Sequence, residues 1–189
     1  PIASTRLVVV VPDTAAPCQG PVDWQCLGES PSAKVGMPPP DSALGLVLLG
    51  NAVSGYFGRP DVSSNNLRDD PEFGGWLRRI TARPDNDPLG RLVELFPPTL
   101  VFDAVGATQA GVRTLVDGQR AEGRVTVLHP DPPAAANIVL VAVSDSDRVT
   151  DLADNDELRD ALAEDGWSTP ESAATGLPDP GVLLYLLTL

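Results

Sequence analysis

Two stretches of this chain place polar side chains where a strand passes into a helix, an arrangement suited to holding a small ligand. In Met37–Gly45, Pro38-Pro39-Pro40 holds the backbone extended, Asp41 or Ser42 can cap the helix that follows, and Ala43 stands beside the cap. In Val105–Ala110 a strand runs through Gly106 into a helix whose first turn carries Thr108 and Gln109. The first N–H groups of a helix lack intrahelical partners and carry positive polarity, so such a junction favours an anion or a polar group. In open α/β sheets, ligands bind outside the strand ends at such junctions. Two junctions can share one cleft, and the expected occupant is a small polar or anionic solute. The competing expectation is that Ser42 and Thr108 only cap their helices.

Other chemistries lack their parts. His129 is the only histidine, placed before Pro130 at the end of an expected strand, and no serine stands in a G-x-S-x-G turn. A nucleophile–histidine–carboxylate triad is therefore not expected. Two cysteines and one distant histidine do not make a tetrahedral zinc set. The acidic stretch from Asp145 to Glu157 lacks the central glycine and terminal spacing of an EF-hand loop, and reads as helix caps and a solvated face. Neither G-x-G-x-x-G nor G-x-x-x-x-G-K-[ST] occurs, and nothing singles out one acid/base pair among the many carboxylates. The chain is read as non-catalytic, with no metal and no cofactor.

The elements that must position these junctions follow from composition and pattern. An apolar fraction of 42% over 189 residues supports one well-buried domain or two small lobes, and argues against disorder. With 20 prolines and 17 glycines, many of them clustered, the elements should be short and joined by rigid turns. A net charge of −13 and a pI near 4.2 oppose a phosphate backbone, so no nucleic-acid partner is expected. Lys34 is the only lysine among 13 basic residues, a bias of high-GC bacterial genomes.

Cys18 and Cys26 flank a Pro/Gly-rich loop containing Trp24, and pair better as a disulfide than as two free thiols. On the chain-entropy model that closure stabilises by ~2.5–3 kcal/mol. It places the protein outside the cytoplasm, in an extracellular or cell-surface location. The chain begins at Pro1 without a signal peptide, as a mature or trimmed form would. No apolar run approaches the ~20 residues of a spanning helix, so any membrane anchor lies outside this sequence.

RLVVVV, Arg6–Val11, is a continuous β-branched run suited to a central parallel strand buried on both faces. Val22–Leu27 forms one helical turn or two, Lys34–Met37 a short strand, and Ser42–Tyr56 the capped helix. Gly45 and Gly50 cost that helix ~1 kcal/mol each against alanine, a loss offset by close packing on a neighbouring backbone. Asp70-Pro71-Glu72 starts a helix with Phe73, Trp76, Leu77 and Ile80 on one face. Then come a helix at Leu89–Leu95, a strand at Leu100–Val105 and a helix at Thr108–Val116. Strands at Arg124–Leu128 and Asn137–Val143, a polar helix at Asn155–Glu164 and an apolar one from Pro180 complete the chain. This alternation predicts a single α/β domain over residues 1–189, a mostly parallel sheet flanked by helices.

With the junctions placed, the chain resembles the later part of bacterial extracellular solute-binding proteins with the two-lobed type 2 periplasmic-binding fold. RLVVVVPD resembles their segment crossing between lobes, and PVDWQCL the short W-x-x-L turn that often follows. KVGMPPPDSALGLVLL is similar to their strand followed by P-x-x-S-x-x-G, FDAVGATQAGV to the later junction, and VTVLHPDPPAAANIVLVAV to the returning hairpin. The resemblance covers roughly residues 6–143 and implies one lobe plus crossing segments, without the first lobe that precedes them in that family. It makes Ser42 and Thr108 ligand contacts, with Ala43 and Gln109 next to them, and puts Asp13 and Thr14 near the hinge. The function implied is a solute-binding-like domain of a secreted or membrane-anchored bacterial protein, serving a membrane transporter or another protein. The alternative is a structural or protein-interaction domain in which the cleft is vestigial.

Overall fold

The apolar run at Arg6–Val11 forms the middle of the longest strand, β1 (Ala3–Pro12), in a computed structural model that describes residues 1–94, 101–119, 124–139, 141, 146–169 and 176–188. Its alternate side chains feed two separate cores. Leu7, Val9 and Val11 face one cluster with Trp24, Leu48, Trp76 and Ile80, while Val8 and Val10 face another with Leu92, Phe102, Val105 and Val112. Burial on both faces explains the continuous apolar pattern.

The sheet is mixed. β2 (Val35–Gly36) pairs in parallel with β3 (Ala104–Thr108), but β1 runs antiparallel to β3, β4 (Val125–Leu128) and β5 (Ala135–Ile138). The strand order is β2-β3-β1-β4, and β5 pairs with the first half of β1. The expectation of β1 as a central parallel strand is corrected: it is central, but it opposes its neighbours. β-Branched residues report burial and say nothing about direction, whereas direction follows from the connections. The segment through α6 (Gln109–Gln119) carries the chain from β3 to β4 on either side of β1, so those two share one direction and β1 takes the other.

Helices cover both faces. α1 (Trp24–Glu29), α2 (Ala43–Phe57), α3 (Ser64–Asp69), α4 (Phe73–Ile80) and α9 (Pro180–Leu186) contribute to the first core, and α5 (Pro88–Glu94) and α6 to the second. α4 buries Phe73, Trp76, Leu77 and Ile80, as their spacing predicts, and its start is held by Asp70, whose Oδ1 accepts from the N–H groups of Glu72 and Phe73. α7 (Ser146–Ala153), which the acidic sequence hid, precedes α8 (Asp156–Glu164), capped by Asn155 and without a buried residue.

Two strands sit later or earlier than their sequence suggests. Leu100 lies outside the described residues, and β3 starts at Ala104 and continues through Gly106 to Thr108. Gly106 is no break there: a Cβ on it would come within 2.8 Å of the Met37 sulfur, so the strand needs a residue without a side chain for α1, α2 and β2 to pack this closely. β5 ends at Ile138, and the exposed Val139 and Val141 follow; Leu140, Ala142 and Val143, also expected in that strand, lie outside the described residues.

Candidate functional site

Ser42 and Thr108 lie on the wall of one cleft of about 380 Å³ at the strand ends of the sheet, together with Leu44, Asn86, Asp87 and Leu89. The two junctions therefore share a cleft. Ser42 caps α2: its Oγ accepts the Gly45 N–H at 3.0 Å and donates to the Pro39 carbonyl at 2.7 Å. Gly45 makes this turn possible, since a Cβ there would stand 1.9 Å from the Pro39 oxygen. The helix thus closes against the backbone of the proline run, which offsets the propensity loss at Gly45.

Thr108 ends β3 and starts α6, its Oγ1 accepting the Gly111 N–H at 3.1 Å. The preceding N–H, of Ala110, is taken by the hydroxyl of Thr5 at 2.9 Å, a buried β1 residue that the sequence did not single out. A third helix start completes the wall. Asp87 Oδ1 accepts the Gly90 N–H at 2.9 Å at the beginning of α5, and Asp85 Oδ1 accepts the Asp87 N–H at 2.9 Å. α5 begins at Pro88, one residue before the Leu89 start that the sequence predicts, and Asp87-Pro88 repeats the acidic-then-proline pattern of Asp70-Pro71 ahead of α4.

The other expected contacts lie elsewhere. Ala43 and Gln109 are exposed and do not line this cleft. Asp13 and Thr14 are at the opposite end of the sheet: Leu7 pairs with Thr108, and Asp13 follows six residues later, roughly 20 Å along the strand. There Asp13 accepts the Thr126 hydroxyl at 2.9 Å and its N–H donates to the Arg124 carbonyl. The hinge role implied for this pair has no place in the cleft.

No protein-family model matches this chain, and no curated protein does.

Charge on the cleft wall comes from Asp87. A polar recess of about 690 Å³ adjoins it across Pro39, Asn86 and Asp87, and there Arg91 is engaged with Asp85 at 2.9 Å. His129 is exposed just past β4 and is not part of the cleft lining. Cys18 and Cys26 form a disulfide, as their spacing suggests. Among the described residues no group of three His, Cys, Asp or Glu side chains is placed to hold a metal ion, and no helix is long and apolar enough to cross a membrane.

Proposed function

We propose that this chain is a non-catalytic, solute-binding-like domain of a secreted or membrane-anchored bacterial protein, and that it holds a small polar solute in the cleft between Ser42 and Thr108. The observation that carries this reading is the convergence of two strand-to-helix junctions, far apart in sequence, on one volume of about 380 Å³. That volume falls within the roughly 300–1,000 Å³ range of small-molecule sites. Of the two solute chemistries expected, polar and anionic, the lining favours the polar one, because the α6 N–H groups of Ala110 and Gly111 already bond to Thr5 and Thr108. The non-catalytic reading is supported by an exposed His129 that does not line the cleft and by cysteines tied in a disulfide. The disulfide also favours a place outside the cytoplasm. A transporter or another protein at the membrane would then receive the solute.

The second reading, a structural or interaction domain with a vestigial cleft, is favoured by one observation: the oxygens of Ser42 and Thr108 both accept N–H groups of their own helix starts. Thermal unfolding against a panel of small polar metabolites separates the two, since a ligand that binds only the folded form raises the midpoint. Leu44, more than a third exposed on the cleft wall, allows a control. Leu44→Trp should fill the cleft, leave the ligand-free midpoint unchanged and abolish the rise. A midpoint that no solute moves gives the interaction reading.

A further inference from the structure

The charge of the solute follows from how the cleft's polar groups are already engaged, if the cleft is a solute site as proposed above. Three of the helix-start N–H groups that could meet an anion are bonded within the protein: Gly45 to Ser42, Ala110 to Thr5 and Gly111 to Thr108. No basic side chain lines the cleft, and its one charged side chain is the Asp87 carboxylate. A solute carboxylate there would meet a like charge with no basic side chain on the lining to offset it.

Asp87 is engaged on one side only. Its Oδ1 caps Gly90, and among the described residues no arginine or lysine forms an ion pair with it. Arg91, one turn further along α5, is turned to Asp85 at 2.9 Å. The carboxylate keeps acceptor capacity, and an ammonium group supplies the donors that match it. Leu44, Leu89 and Ala107 also line the cleft and give it apolar surface. A net charge of −13 raises the local concentration of cations around the whole molecule.

We infer that the cleft selects a small organic ammonium, its charged nitrogen against Asp87 and its apolar body toward Leu44 and Leu89. This makes Asp87 the residue that sets specificity, and it separates the cleft from the anion site that helix starts alone suggest.

The test uses two probes of similar skeleton and opposite charge, phenethylammonium and hydrocinnamate, titrated calorimetrically into wild type, Asp87→Asn and Leu44→Trp. Asparagine caps a helix as well as aspartate does, so Asp87→Asn should keep α5 and the melting midpoint while removing the charge. Wild type is expected to bind the ammonium at least about tenfold more tightly than the carboxylate, with Asp87→Asn removing most of that preference. Leu44→Trp should block the ammonium. Equal or tighter binding of the carboxylate, or a preference that survives in a folded Asp87→Asn, overturns the inference and leaves the cleft a solute site of other specificity. If neither probe binds but another solute does so in a manner blocked by Leu44→Trp, the inference again falls and the site stands. If no solute binds at all, both fall.

Discussion

Asn51, in the middle of α2, joins two distant parts of the fold to Trp24: its Oδ1 accepts the Trp24 indole N–H at 3.1 Å, and its Nδ2 donates to the Pro132 carbonyl at 2.9 Å. Both the asparagine and the indole are buried, so each bond replaces water that cannot enter. Trp76 adds a third link, donating its indole N–H to the Trp24 carbonyl at 2.9 Å.

Asn51→Leu keeps the volume roughly constant and leaves the buried Trp24 indole donor and the part-buried Pro132 carbonyl unpaired. At ~1–3 kcal/mol for each orphaned group, the variant should lose at least about 2 kcal/mol in urea denaturation. A loss below about 0.5 kcal/mol would show that the network contributes little beyond packing.

Val9 is 2% exposed and packs in the first core between β3 and β4. Val9→Asp should abolish the cooperative thermal transition, because a lone carboxylate has no partner there. Asn137→Asp, at an exposed position of β5, should leave the midpoint nearly unchanged. A normal midpoint for Val9→Asp would overturn the burial of β1.

The Cys18–Cys26 bond ties the loop after β1 to α1, which carries the buried Trp24 and Leu27. Thiol titration of the denatured, unreduced protein should find no free sulfhydryl. Reduction should lower stability by about 2.5–3 kcal/mol on the chain-entropy model. Two reactive thiols per chain would remove the bond and, with it, the main support for a place outside the cytoplasm.

Tyr56 gives a pH signature. Burial first, then the charge and hydrogen bond of Asp70, push its hydroxyl from 10.0 up to about 12. Between those values the folded protein keeps a proton that the unfolded chain has lost, so stability falls as pH rises. The contribution is complete below about pH 10 and gone once the pH passes about 12. Tyrosinate absorbance in a Tyr185→Phe background should titrate late in the folded protein. Tyr56→Phe should flatten the alkaline fall in the urea midpoint, and an unchanged slope would remove Tyr56 as its source.

Much of the local structure was legible because it depends on neighbours in sequence. Ser42 capping α2, the buried face of α4, the Cys18–Cys26 closure and the burial of Arg6–Val11 all follow from residue type at short spacing. Even the pairing of the two junctions was accessible as an expectation, since both end strands of the same sheet. What the tertiary structure alone decided are relations between segments remote in sequence. β1 opposes its neighbours because the connection through α6 places β3 and β4 on either side of it, and an apolar run looks the same in either direction. Gly106 lies inside β3 because Met37, Trp24 and Leu48 crowd its face, where local rules read glycine as a break. Thr5 supplies the Ala110 cap from another strand, and Asp87 brings the cleft its charge only because α5 folds back beside β3. Hydrophobic pattern and capping chemistry are short-range, so they determine which residues are buried and where helices begin. Which buried and capping residues meet is set by packing across the sheet, and here that packing decides the chemistry of the cleft.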